Sequence, residues 1–268
     1  MANNWTKEHV KVAFSLYCKL PFGKLHKSNK DIIQLANRIN RTPSAVAMKL
    51  VNIASLDPAI TSTGRSGLKN ASAMDKEVWG EFANNWDELT LESLKLYEDL
   101  GLGDSSDSTQ DKADVNFENY VGETRNVMVQ QRIKQGFFRK SVLSSYKGMC
   151  CMSGLSEERL LIASHIVPWS EDKQNRLNPR NGLCLSAIHD KAFDRGFITL
   201  DDDCRVVLSR DLKMNNNPFI QQTFSPIEGK SIMLPERFEP DISFLEKHRN
   251  LVFLDNKVSG SRETINER

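Results

Sequence analysis

Residues 101–114 read GLGDSSDSTQDKAD, a run with no aromatic residue, a single Leu and a concentration of Ser, Asp and Gly. So little apolar surface cannot offset the entropy of ordering, and the chain must build its packed regions on either side of this stretch. The hydrophobic period differs between the two sides. Before it, apolar residues recur every three to four positions; after about residue 160, short β-rich runs alternate with turn signals. The predicted fold class is α+β, with residues 1–100 helical, 101–121 a polar linker, 122–255 a mixed domain with a C-terminal extension, and 256–268 a frayed tail.

In the helical part, Thr6 suits the cap of a helix carrying Val10, Ala13, Phe14 and Tyr17 on one face. A second helix is expected from a Ser28 or Asn29 cap, with Ile32, Leu35, Ala36 and Ile39 inward. Thr42 followed by Pro43 restarts a third, because Pro at the first helical position loses no needed N–H. Val46, Leu50 and Ile53 form its inward stripe, which leaves Ser44, Ala45, Met48, Lys49 and Asn52 outward. Two short helices with a tight turn between them suit a helix-turn-helix as well as a plain bundle hairpin. Acidic helices over residues 75–86 and 91–100 complete the bundle, with Trp79, Phe82 and Trp86 expected in its core.

The net charge of +1 conceals segregation: +7 over residues 1–56, −9 over 57–121, +4 over 122–214 and −1 over 215–268. Clustered Lys and Arg gain affinity for phosphate backbones by releasing counterions, so the basic blocks point to DNA as partner. Arg41 and Lys49 are the candidates in the first block. Arg132, Lys134, Arg139 and Lys140 are the candidates in the second, outward on a helix over residues 130–146 that turns Phe138, Val142 and Leu143 inward. No run is long enough for a membrane span, the start MANNWTKEHVK lacks the apolar core of a secretory signal, and five irregularly spaced cysteines form no disulfide framework. A reducing cytoplasm is the expected location.

The stretch ASHIVPWSEDKQNRLNPRNGLCLSAIHDKAFDRG, residues 163–196, carries the chemistry. It sets His165 at the end of a predicted strand, Asn181 before the next, and His189 in the following helix, 24 residues after the first histidine. Further short strands are expected over residues 197–200 and 205–209, and loop chemistry beyond Met214. Singly, His165 could be a core histidine and Asn181 a turn residue; the combination is what informs.

That order and spacing resemble the HNH endonuclease family, whose ββα-metal fold presents His, Asn and His around one divalent cation. The wider pattern of FFRKSVLSSYKGMCCMSG, ASHIVPW, NGLCLSAIHDKAFDRG and FITLDDD, over residues 131–209, is similar to the predicted restriction endonuclease branch. The resemblance implies hydrolysis of DNA phosphodiester bonds, with a role in bacterial restriction or anti-phage defence and partner proteins from a defence operon. It makes His165 the general base, Asn181 a brace for the loop between strands, and His189 a metal ligand. The implied cofactor is Mg²⁺ or Mn²⁺, with Ni²⁺ or Co²⁺ as further candidates. A single metal site cuts one strand per visit, so duplex cleavage calls for a homodimer or two visits.

Two departures qualify the resemblance. Many members carry Asp or His just before the base, where this chain has Ser164, a weak ligand for a hard cation. Asp194 is then the nearest acidic candidate, although it equally suits a turn residue before Gly196; Asp190 lies about 100° round the helix from His189. The paired C-x-x-C motifs of a structural zinc are also missing: Ser153, Leu185 and Ile188 stand where pair members would fall, and no structural zinc is expected. The rival readings are a non-catalytic DNA-binding regulator with a degenerate site and an RNA-directed nuclease, the latter weakened by the lack of an aromatic-rich basic strand pair.

Overall fold

The structure, a computed structural model, describes residues 4–62, 70–102 and 122–256, of which residues 122–130 are described by their backbone only. Nearly all of the expected linker and the tail beyond residue 256 lie outside the described residues. Helix α1 (Lys7–Lys19) begins where Thr6 Oγ1 accepts from the His9 N–H, and it is buried on almost every side from Val10 to Cys18. It is the hub of the N-terminal half. Against it pack α2 (Lys30–Arg38, capped by Asn29) and α3 (Pro43–Ala54, capped by Thr42 with Pro43 in the first turn). A single turn, α4 (Pro58–Thr61), follows. Helix α5 (Ala73–Asn84) starts on a reciprocal capping box between Ser72 and Asp75. Helix α6 (Trp86–Asp99) starts about five residues earlier than its apolar spacing predicts, because Asn85 closes α5 and also caps α6 through the Glu88 N–H.

The side chain of Lys49 corrects the outward face expected for α3. Lys49 is buried, its Nζ 2.7 Å from Asp75 Oδ1 and 4.8 Å from the centre of the Trp5 ring. The reason is that α5 covers the face of α3 that a two-helix hairpin would leave to solvent.

In the C-terminal half, α7 (Gly122–Ser145) lies across an antiparallel hairpin of β1 (Leu161–His165) and β2 (Gly182–Ser186), with His165 opposite Gly182 in the register. Helix α8 (Ala187–Asp194) follows β2 directly, capped by Ser186. Gly196 then takes a left-handed turn (φ +74°) that closes the helix end, and a Cβ there would meet the Val252 carbonyl oxygen at 2.1 Å. A second hairpin pairs β3 (Ile198–Leu200) with β4 (Val206–Leu208). Beyond it come α9 (Arg210–Lys213), α10 (Pro218–Phe224) and α11 (Ile242–Leu251). The loop chemistry expected past Met214 is thus corrected: Asn217 and Asp241 are helix caps, and α11 buries Phe244, Leu245 and His248.

The buried apolar residues of both halves join in one cluster running from α1 to α11. At the seam sits Arg237, fully buried. Its guanidinium donates to the Tyr17 and Cys18 carbonyls and, at 2.8 Å, to Ser144 Oγ, while Tyr17 donates its hydroxyl to Asp57 Oδ2 at 2.9 Å. A buried charge must have such partners, and these ones come from both halves of the chain.

Candidate active site

His165 ends β1 with its ring sandwiched. The Phe138 ring of α7 stacks on one face at 3.8 Å, and Trp169 approaches edge-on at 5.3 Å. Its Nε2 lies 2.8 Å from the Arg176 carbonyl oxygen. A carbonyl can only accept, so Nε2 carries the proton and Nδ1 keeps its lone pair. Burial lowers the imidazole pKa below its ordinary value; the bond to the Arg176 carbonyl opposes this and the nearby Arg176 charge adds to it. The ring is therefore neutral at pH 7 in one defined tautomer.

Asn181, fully buried, ties the loop that leaves β1 to the start of β2. Its Oδ1 accepts from the Val167 N–H at 2.8 Å, and its Nδ2 donates to the carbonyls of Val167 at 3.4 Å and Asn175 at 3.2 Å. The Ile166 N–H reaches the Asn181 carbonyl at 3.0 Å. Asn carries both a donor and an acceptor on one short side chain, which this double tie requires.

His165 opens onto a cleft of about 520 Å³ lined also by Ser164, Trp169, Asp190, Lys191, Asp194, Arg195 and His248. Asp190 and Asp194 stand one turn apart on α8 and face the same space. Both carboxyl pKa values are raised, each chiefly by burial, and that of Asp194 also by the charge of Asp190. Ser164 Oγ is buried and closes no hydrogen bond of ordinary geometry, although it is near enough to Asp190 to favour the ionised carboxylate. Two mutually repelling carboxylates beside an unsatisfied hydroxyl suit a hard cation. Among the described residues, no three His, Cys, Asp or Glu side chains form a ready-made metal cage.

His189, expected from the sequence as a metal ligand, is placed apart from the cleft. It is 3% exposed and does not line the cleft. Its Nδ1 lies 2.7 Å from Ser186 Oγ and 3.8 Å from Cys150 Sγ, its Nε2 has no hydrogen-bond partner, and Phe224 packs edge-on to the ring. The cause is helical phase: with Asp190 and Asp194 turned to the cleft, the residue about 100° away turns into the core. His189 Nδ1 thus faces both Ser186 and Cys150. Burial pushes the Cys150 thiol up, but hydrogen bonding from His189, Ser153 and the local backbone outweighs it and brings the pKa down to about 6.

The expected DNA contacts divide. Arg132 is exposed on α7 and Lys134 half-buried near Asp87, while Lys140 is half-buried. Arg139 is spent on structure, donating to the carbonyls of Leu161 at 2.8 Å and Glu158 at 3.2 Å. Arg41 lies over the Trp5 ring at 4.3 Å, and Lys49 is buried. Sequence reasoning overlooked Lys191 and Arg195, exposed basic residues on the cleft itself. The i, i+4 spacing of Asp190 with Asp194 and of Lys191 with Arg195 was the available signal.

No helix among the described residues is long and apolar enough to cross a membrane. Comparison with curated proteins gave no match. Comparison with protein families matched residues 150–201 to HNH_2, described as HNH endonuclease, a span that starts at Cys150 and includes β1, β2, α8 and β3. Residues 150–201, in the C-terminal half of this chain, are thus similar to the HNH endonuclease family.

Proposed function

We propose that this chain is a divalent-metal-dependent endonuclease that hydrolyses DNA phosphodiester bonds, and that it serves bacterial restriction or anti-phage defence in the cytoplasm. The observation that carries the chemistry is the pairing, across one cleft, of a tautomer-locked neutral imidazole with two carboxylates. His165 Nδ1 takes a proton from water as the water oxygen bonds to phosphorus and the bond to the leaving sugar oxygen breaks. Asp190 and Asp194, with Ser164 beside them, would hold the cation, and a bound divalent ion neutralises charge on the scissile phosphate. Asp194 keeps the ligand role expected from the sequence, and Asp190 replaces His189. Lys191 and Arg195 receive the neighbouring backbone phosphates. The defence role rests on the likeness of residues 131–209 to restriction endonucleases.

The second reading, a DNA-binding regulator without catalysis, draws on the withdrawal of His189 and the lack of a ready-made metal cage among the described residues. The deciding experiment incubates purified protein with supercoiled plasmid, linear duplex and RNA, with Mg²⁺, Mn²⁺ or chelator, beside His165→Ala. Metal-dependent nicking or linearisation that falls on the order of 10²–10⁴-fold in His165→Ala is expected. Plasmid binding with no cleavage under any cation leaves the regulator.

A further inference from the structure

We propose that Asp87, in the first turn of α6, is a positioning residue for His165 and acts through a single peptide group, Arg176–Leu177. The carbonyl of that peptide accepts the His165 Nε2–H at 2.8 Å, and its N–H donates to Asp87 Oδ1 at 2.9 Å. The peptide is planar and trans, so its two polar groups point in opposite directions and move as one rigid body. Fixing the N–H therefore fixes the carbonyl, and the carbonyl fixes the imidazole. The negative charge on the N–H side also polarises the C=O and strengthens the bond it accepts.

The inference rests on reading His165 as the base, and it adds that the N-terminal half of the chain is part of the active site. The other anchors hold the flanking residues rather than this peptide's own N–H: Arg176 Nε on the Trp169 carbonyl at 2.7 Å, Asn175 tied to Asn181 and Asp172, and Asn178, whose side chain reaches Asn175 Oδ1 at 3.0 Å. Leu177 is fully buried and Asp87 half-buried, so without Asp87 the Leu177 N–H loses its protein acceptor. The peptide then rotates to find a partner and the Arg176 carbonyl leaves the ring. The charged groups facing Asp87 are Lys134 of α7 and Arg176. Facing His165 are Arg176 and, across the cleft, Asp190, Lys191, Asp194 and Arg195. None of these can accept from the Leu177 N–H as Asp87 does, except a carboxylate of the far wall, which belongs to another element.

The test uses the full chain with ¹⁵N-labelled histidine and records ring nitrogen shifts above pH 7, together with plasmid cleavage. Wild type should show a protonated Nε2 and a bare Nδ1 for His165. Asp87→Ala should give mixed tautomers and lower kcat by roughly 10- to 100-fold with little change in KM for DNA. Asp87→Asn, which retains the acceptor oxygen without the charge, should recover the wild-type tautomer and most of kcat, an outcome that a mere loosening of α6 would not give. If Asp87→Ala does not fold, Asp87→Ser, whose hydroxyl is too short to reach Leu177, takes its place. A wild-type tautomer in the Ala or Ser variant overturns the proposal. Absence of cleavage by wild type overturns the reading of His165 as base instead, and the nitrogen shifts alone then decide whether Asp87 positions the ring.

Discussion

The rings of Phe138 and His165 lie face to face, 8° from parallel, although one sits on α7 and the other at the end of β1. Their contact depends on how closely α7 can approach the hairpin. Gly182, opposite His165 in the strand pairing, sets that approach: a Cβ there would fall 2.4 Å from Val142 Cγ2 and 2.9 Å from Phe138 Cζ.

Gly182→Ala should therefore push α7 outward and take the Phe138 plate off His165. Overpacking of this kind costs about 1–3 kcal/mol. A lower urea midpoint with an unchanged slope, together with a loss of nuclease activity larger than the stability loss explains, is the expected result. Wild-type stability and cleavage would mean that the helix is not seated on the strand as described.

Much of this arrangement is legible in the residue order, for local reasons. Thr6, Thr42 and Ser186 cap helices through their own hydroxyls, and the strand, strand, helix order around His165 and Asn181 follows from turn chemistry and period. What escaped needed non-local information. Lys49 lies on the polar side of α3 by periodicity, and only the docking of α5 buries it. The phase of α8, which selects Asp190 over His189 for the cleft, is set by packing of His189 against Cys150 and Phe224. Helix α11 has few buried positions, too few to stand out as a periodic signal. The tie from Asp87 to Leu177 joins residues 90 apart in sequence.

The pH dependence follows from the lowered pKa of His165. The unfolded ring takes up its proton near the ordinary imidazole value of about 6.5, whereas the folded ring, burdened chiefly by burial, does so only at lower pH. Between these two values the unfolded chain binds more protons, so stability is full above about pH 6.5 and declines as pH falls through the folded pKa. The acid limb of cleavage should likewise lie below pH 6.5. In Phe138→Ala the ring gains solvent, and the limb should move up toward 6.5, with about 3–5 kcal/mol lost from the core. A wild-type acid limb at or above pH 7 would contradict a desolvated base.

Lys49 and the cleft lysine should separate stability from binding. Removing Lys49 strands the buried Asp75 carboxylate, and breaking a buried pair from one side costs about 3–5 kcal/mol. Lys49→Ala should thus lower the denaturation midpoint and leave the salt dependence of DNA affinity unchanged. Lys191→Ala and Arg195→Ala, both on the cleft, should do the reverse, each making log K less steep against log salt by about 0.9 for one lost phosphate contact. Equal salt slopes in wild type and both cleft variants would move the phosphate track elsewhere, first to the exposed Arg132 on α7.

The carboxylate pair predicts how the protein responds to cations. With folded pKa values above the ordinary carboxylate range, Asp190 and Asp194 bind more protons in the folded state than in the unfolded one as pH rises from about 3.8 to those values. Each therefore subtracts stability over that interval, and the penalty persists at higher pH. A divalent cation between them removes it. Mn²⁺ or Mg²⁺ should raise Tm more at pH 7.5 than at pH 5, by an amount equivalent to about 2.7 kcal/mol at a hundred times Kd. Oxygen donors in place of an imidazole should narrow the affinity advantage of Ni²⁺ and Co²⁺ over Mn²⁺. Asp190→Asn should be more stable than wild type without metal, Asp194→Asn, whose carboxylate is exposed, by less, and both should respond weakly to it. Ser164→Asp, placing an acid beside Asp190, should be less stable without metal and bind Mn²⁺ more tightly. His189→Ala should keep the cation response, because its ring faces Ser186, Cys150 and Phe224 and not the cleft. Calorimetric titration of Mn²⁺ into all four variants decides the matter: binding lost in His189→Ala but intact in Asp190→Asn would return the ligand role to the histidine and reverse the phase assigned to α8.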